Sequence, residues 1–239
     1  MLRRFVKSAI RGLGYDLRRF QPAGSDDAQL RTMLQSHGIN LVLDVGANIG
    51  QFGKMLRELG YRGRIVSFEP LSAEREQLLK ASKNDPLWEV APQAAVGGEN
   101  GEIEIHVAAN SSSSSALNML DAHASAAPQS RYIGSERVRM HRLDSLAPGY
   151  LRQDSVFFLK IDTQGYEDRV LKGAEETLAR TTGLQLELSL VPLYEGQRLF
   201  DELIEHVKAA GFELWSLSPV LFDPKTGRLL QVDATFFRR

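Results

Sequence analysis

The stretch Leu41-Val42-Leu43-Asp44-Val45-Gly46-Ala47-Asn48-Ile49-Gly50 restricts the fold more than any other. An apolar run closes on Asp44 and breaks into a glycine-punctuated turn, and Gln51 to Leu59 then reads as a helix. A buried strand, a tight loop and a helix N-terminus in that order form half of a βαβ unit. Such a unit requires a parallel sheet with helices packed on it, and places ligands at the carboxyl edge of the strands. Gly46 and Gly50 would let the backbone approach a ligand where a side chain would collide. About 20 residues on, Ile65-Val66-Ser67-Phe68 is a second strand ending in Glu69, where an acid can accept from both hydroxyls of a ribose.

The loop reads Gly-x-Asn-x-Gly, not the Gly-x-Gly-x-x-Gly of dinucleotide folds, and no Gly-Lys-Ser/Thr of a P-loop follows. A glycine turn after a strand also occurs as a plain βα connection, but with Glu69 an adenosine cofactor is the better reading. The missing third glycine favours S-adenosyl-L-methionine (SAM) over NAD, because SAM has no pyrophosphate to seat on the helix. The candidate cofactor contacts are Asp44, Gly46, Asn48, Gly50, Glu69 and Pro70. Ala94 and Ala95 join them, as small side chains beside which an adenine would lie.

Residues 1–39 read as a basic helix and a lead-in helix, and residues 40–239 as the cofactor-binding domain. Met1 to Phe20 mixes Arg3, Arg4, Lys7, Arg11, Arg18 and Arg19 with Leu2, Phe5, Val6, Ile10 and Leu13. It could lie on an anionic membrane surface or pack as an ordinary surface helix. It lacks the continuous apolar stretch of a secretory signal. Asp26 to Ser36 is helical, and Ser72 caps a helix to about Lys83. Trp88 to Val96 reads as a third strand interrupted by Pro92, and Glu102 to Val107 alternates as a half-exposed strand.

Ser111 to Ser115 opens a polar stretch reaching about Arg131. On composition it reads as a linker without a core of its own, or else as a mobile loop supplying hydroxyls to a ligand. Val138 to Leu143 returns as a strand. The most apolar strand, Val156 to Ile161, contains Lys160 and ends in Asp162-Thr163-Gln164-Gly165-Tyr166-Glu167, with a helix expected after that to about Arg180. A lysine in such a strand needs a partner or a solvated end. Leu184 to Leu190 is a strand, Leu199 to Ala210 a helix, and Phe212 to Leu217 and Leu229 to Phe237 form a closing antiparallel hairpin. Strands alternating with helices give a three-layer α/β sheet.

Several function classes are excluded or disfavoured. The formal net charge of −1 leaves no electrostatic footprint for nucleic acid. The chain has no cysteine, which removes disulfides, thiolate zinc sites and a cysteine nucleophile. The five histidines are scattered without metal-ligand spacing, and no metal site is expected. No apolar run approaches the roughly 18 residues of a membrane span, and a cytoplasmic location is the expectation.

With these pieces placed, the chain resembles the FkbM family of SAM-dependent methyltransferases from about Asn40 onward. The resemblance rests on Leu43-Asp44-Val45-Gly46-Ala47-Asn48-Ile49-Gly50, Phe68-Glu69-Pro70, Ala94-Ala95-Val96-Gly97 and the serine cluster. It continues through Leu143-Asp144-Ser145-Leu146, Lys160-Ile161-Asp162, Gly165-Tyr166-Glu167 and Gln231-Val232-Asp233-Ala234. It implies a Rossmann-like class I methyltransferase fold with six parallel strands and one antiparallel strand in a seven-stranded sheet. It further implies methyl transfer, usually to oxygen, on a sugar, glycan or natural-product acceptor, and it turns the serine cluster from linker to functional loop. Many members carry an acid where this chain has Gln164, which leaves Asp162, Glu167 and Glu187 as candidate bases. Asp162 comes first among them, and could instead bind the cofactor's amino group. An NAD-dependent oxidoreductase and a non-catalytic SAM-binding protein stand as alternatives.

Overall fold

A computed structural model describes residues 10–15 and 18–238. Most of the basic segment expected as an N-terminal helix lies outside the described residues. The main body runs α1 (Asp26–Ser36), β1 (Leu41–Val45), α2 (Gln51–Glu58), β2 (Arg64–Phe68), α3 (Ser72–Ser82) and β3 (Trp88–Val90). A small sheet follows from β4 (Ala95–Val96), β5 (Gly101–Ala108) and β6 (Tyr132–His141), with α4 (Asp121–Ala126) inside the β5–β6 connection. The chain then returns through α5 (Leu143–Leu146), β7 (Phe157–Ile161), α6 (Glu167–Lys172), α7 (Glu175–Arg180) and β8 (Gly183–Ser189). It closes with α8 (Phe200–Ala209), β9 (Phe212–Phe222) and β10 (Leu229–Arg238).

The seven-stranded sheet has the order β3-β2-β1-β7-β8-β10-β9. β3, β2, β1, β7 and β8 pair in parallel. β10 inserts antiparallel between β8 and β9, so one strand runs against six, as the resemblance implies. Every residue of β1, β7 and β8 is buried, which is why these strands read as apolar runs rather than alternating ones. Leu41, Leu43 and Val45 pack with α6, α7 and α8 on one face. Val42, Phe158 and Phe237 pack with Leu30 and Met33 of α1 and with Leu56 of α2 on the other. Truncating a side chain such as Phe158 to alanine would cost about 3–5 kcal/mol. At its N-terminus α1 is capped by Ser25, whose hydroxyl accepts from the Ala28 amide at 3.3 Å, with Asp26 and Asp27 in the first turn.

Three boundaries differ from the sequence reading. The expected third strand splits around Pro92, so that Trp88–Val90 stays in the main sheet while Ala95–Val96 joins β6 of the small one. Proline cannot donate to a ladder, and the chain changes sheets there. The helix expected to follow Asp162–Glu167 and run to about Arg180 is two short helices. Their break, Gly173, lies against another backbone, since a Cβ there would sit 2.0 Å from the Gly97 carbonyl oxygen. The stretch from Ser111 to Arg131 does have a core. Ser113, Ser115, His123, Ala127 and Ser130 are buried, and Leu117, Met119 and Ala126 pack on Leu193, Tyr194 and Leu230.

Candidate functional site

A cavity of about 370 Å³ opens at the carboxyl ends of β2, β1 and β7, within the size range of small-molecule sites. Its floor is the loop from Val45 to Asn48. One wall is Phe68 to Leu71 with Ala94, Ala95, Val96, Ile103 and Ile105, and the other is Lys160 with Asp162 to Gln164. The serine loop forms the roof.

Gly46 and Gly50 both have positive φ, 80° and 86°, and Asn48 between them has φ 49°. Contacts within the protein already require glycine at both positions. A Cβ on Gly46 would sit 1.8 Å from the Asp162 carbonyl oxygen, where the ends of β1 and β7 meet. A Cβ on Gly50 would meet Leu78 and Trp88 at 3.0 and 3.1 Å, and Gly50 stands behind the cavity wall. Asp44 does not line the cavity either. Strand alternation sends it to the face of Val42, where it is fully buried, accepts from Ser67 Oγ at 3.2 Å and lies 3.6 Å from Lys160 Nζ. Burial pushes its carboxyl up against the opposing pull of Lys160.

Glu69 does line the cavity, ending β2 as expected. Its two oxygens accept from the backbone amides of Asn48 at 2.7 Å and Leu71 at 2.9 Å. Burial pushes its carboxyl up to about 8, despite those two donors. Pro70, Ala94 and Ala95 also line the cavity. The Pro70 carbonyl accepts from Gln93 Nε2 at 2.8 Å, which ties this wall together.

Of the three candidate bases, Asp162 alone lines the cavity. It accepts from Lys160 Nζ at 3.2 Å on one oxygen and from Gln164 Nε2 at 2.9 Å on the other. Glu167 is turned away from the cavity and holds the turn that follows β7. One of its oxygens accepts from the Thr163 amide, the Thr163 hydroxyl and the Gly165 amide at 2.9, 3.1 and 3.2 Å. Its burial pushes the carboxyl up to about 7. Glu187 lies behind Gln164, accepting from Gln164 Nε2 and from Gln231 Nε2. Burial first, and then the charges of Asp162 and Asp233, hold its carboxyl well above the usual range.

Gln164 is the hub of this corner. Its φ of 53° is one that a β-carbon-bearing residue rarely adopts. Its amide donates to Asp162 and Glu187, its side-chain oxygen accepts from the Tyr194 hydroxyl at 2.7 Å, and its carbonyl accepts from Ser115 Oγ at 2.7 Å. The roof is fastened further by Ser111 Oγ, which donates to Asn48 Oδ1 at 3.1 Å, and by Ser114 Oγ, which accepts from the Ala108 amide at 3.0 Å. Among the described residues, Ser112 is the serine of this run whose hydroxyl has no hydrogen bond, and it faces the cavity.

Lys160, Phe52, Met55 and Tyr166 were not among the expected site residues, yet all line the cavity. A signal existed for Lys160, as a lysine in an apolar strand. Its partners are Asp162 and Asp44, with the Phe52 ring centroid 5.1 Å from the ammonium.

The surroundings suit SAM. Glu69 keeps a spare lone pair on each oxygen after its two amide bonds, enough for a diol. Ala94 and Ala95 with Ile103 and Ile105 make an apolar slot for a flat ring.

Comparison with known proteins identifies the family. The model of the methyltransferase FkbM domain matches residues 44–214, well over half of the chain. The 2-O-methyltransferase NoeI of Sinorhizobium fredii is 27% identical over 166 residues, 66% of this chain and 66% of NoeI. The AMB antimetabolite synthetase AmbE of Pseudomonas aeruginosa is 29% identical over 181 residues, 62% of this chain but 8% of AmbE. The chain thus spans less than two thirds of either relative's length. Among solved structures, magnesium protoporphyrin IX methyltransferase from Synechocystis PCC 6803 with bound SAM is 10% identical. That match covers 89% of this chain and 78% of that one, at a TM-score of 0.47. The domain matched begins at Asp44 and takes in the glycine loop, Glu69, the serine roof and Asp162: the chain belongs to the FkbM family of methyltransferases, with S-adenosyl-L-methionine as its cofactor.

Proposed function

We propose that this protein transfers a methyl group from SAM to a hydroxyl oxygen on a sugar, glycan or natural-product acceptor. The observation that carries the reading is one cavity with a carboxylate at each end, Glu69 just after β2 and Asp162 just after β7, and the close-packed turn of Gly46 between them. The name of NoeI, a 2-O-methyltransferase, supports oxygen as the atom methylated.

SAM supplies a methyl group on a sulfonium, which carries its own good leaving group. The side chains therefore have little covalent work, and aligning acceptor oxygen, methyl and sulfur supplies most of the acceleration. Glu69 would hold the ribose and the Ala94–Ala95 wall the adenine. The serine roof covers the cavity, and the Ser112 hydroxyl is left free to bond a ligand. Glu167 and Glu187 act at a distance, the first by shaping the Thr163–Gly165 turn and the second by holding Gln164.

Incubation of the protein and labelled SAM with glycan and metabolite extracts tests the reading. Label recovered as a methyl ether supports it. Label on nitrogen or carbon overturns the choice of oxygen. Tight binding of S-adenosylhomocysteine with no transfer to any extract would make the protein a non-catalytic SAM binder, and tight binding of NAD instead would overturn the cofactor site.

A further inference from the structure

Lys160 is the only cation on the cavity wall among the described residues, and nothing in methyl transfer itself calls for one. It is the penultimate residue of β7, level with Asp44 on β1. Its ammonium carries three N–H groups. One reaches Asp162 at 3.2 Å. Asp44 is farther, at 3.6 Å, and its nearer oxygen makes no hydrogen bond. The Phe52 ring closes over the same ammonium at 5.1 Å. Lys160 thus leans toward the cavity and Asp162, not back onto Asp44. It presents a fixed positive charge beside a fixed negative one.

The sheet order gives this pair its place along the ligand. β2, β1 and β7 are consecutive neighbours, so Glu69 and the Lys160–Asp162 pair stand two strand spacings apart, roughly 10 Å. A ligand whose ribose meets Glu69 and whose next atoms cross Gly46 reaches β7 with whatever lies beyond its sulfur. In SAM that end is an α-amino acid, an ammonium and a carboxylate on one carbon. We propose that the Lys160–Asp162 ion pair is the receptor for this zwitterion, Lys160 taking the carboxylate and Asp162 the ammonium. The inference rests on reading the cavity as the SAM site. It makes Lys160 a cofactor-binding residue and gives Asp162 to the donor's amino group instead of the acceptor's proton. Asp44 then has a role: it balances Lys160 from behind, so the ammonium can share itself with a second carboxylate.

The test is calorimetry on the full chain with three probes, SAM, decarboxylated SAM and 5′-methylthioadenosine. In the wild type SAM should bind tighter than decarboxylated SAM by roughly tenfold to a hundredfold, as for a charge-assisted hydrogen bond. Lys160→Met should reduce that ratio to near one by weakening SAM alone, and Lys160→Arg should keep most of it. Equal affinity of the wild type for SAM and its decarboxylated form overturns the proposal without any variant, even if Lys160→Met fails to fold. A Lys160→Met protein that folds and keeps the full ratio overturns it too. If 5′-methylthioadenosine and decarboxylated SAM bind and SAM binds no better, the cofactor site stands and only the role of Lys160 falls. If none of the three binds, the reading of the cavity falls and takes this inference with it.

Discussion

Binding of the adenosine moiety should release a proton, and Glu69 is the source. In the free protein, burial drives its carboxyl up to about 8, and the charges of Glu74 and Asp44 push the same way. Near pH 6.5 the side chain is therefore mostly protonated, its oxygens still accepting from Asn48 and Leu71. A ribose diol arrives with two donors and favours the carboxylate form. Below about pH 8 the affinity should then rise with pH by up to tenfold, ~1.4 kcal/mol, per unit, and level off above it. Between pH 6 and 8 that amounts to about a hundredfold. The donor's own α-amino group titrates in the same range, so the clean probe is 5′-methylthioadenosine, which lacks it. Calorimetry in buffers of different ionisation enthalpy should show nearly one proton released at pH 6.5 and almost none at pH 9. Glu69→Gln should bind more weakly and lose the pH dependence. A flat affinity from pH 6 to 8 in the wild type would show that Glu69 is already ionised or does not touch the ligand. The fold carries the same signature. A carboxyl raised from 4.5 to about 8 binds its proton more tightly in the folded chain, so its stabilisation is full below 4.5 and is lost as the pH climbs through 8. Glu69→Gln removes that share, while Glu167, at about 7, and Asp233, at about 6, keep theirs.

Three further outcomes follow from the same geometry. Gly46→Ala must place a Cβ 1.8 Å from the Asp162 carbonyl oxygen at a φ of 80°; the left-handed conformation alone costs about 1–2 kcal/mol. Urea unfolding should show a larger loss than that, and a loss under ~1 kcal/mol would mean that the loop simply moves aside. Asp162→Asn should raise the SAM dissociation constant and change kcat less; a kcat fall of about 10²–10⁴-fold at unchanged SAM affinity would instead make Asp162 the acceptor's base. Ser112→Ala should leave stability within about 0.5 kcal/mol and raise the acceptor KM, whereas Ser115→Ala, which strips a buried bond to the Gln164 carbonyl, should cost about 1–3 kcal/mol of stability.

What could be read from the sequence, and what could not, divides along the range of the forces involved. β1, β7 and their loops were legible because a fully buried parallel strand must be a near-continuous apolar run, and a run closed by glycine can end only in a turn. Glu69 was legible for the same reason, being the first charge after a buried strand. The direction of each side chain had no such handle. Asp44 and Gly46 are two residues apart, yet Asp44, still inside β1, is covered by the sheet's packing, while Gly46, just past the strand's end, lies on the cavity floor. That the fold itself demands glycine at both positions depends on Asp162 and Trp88, distant in sequence and brought in only by the sheet. The core beneath the serine run was hidden for a related reason. Its composition has little apolar content, but its hydroxyls bond to Asn48 and Gln164, and Tyr194 supplies the apolar contact from over 60 residues away. Lys160 shows the limit most clearly. A charge in an apolar strand announces that a partner exists, and here the partners are one strand over, on Asp44, and two residues on, at Asp162. Only the parallel register that sets Asp44 level with Lys160 shows that the first is behind the lysine and the second in front of it, on the side where a ligand would lie.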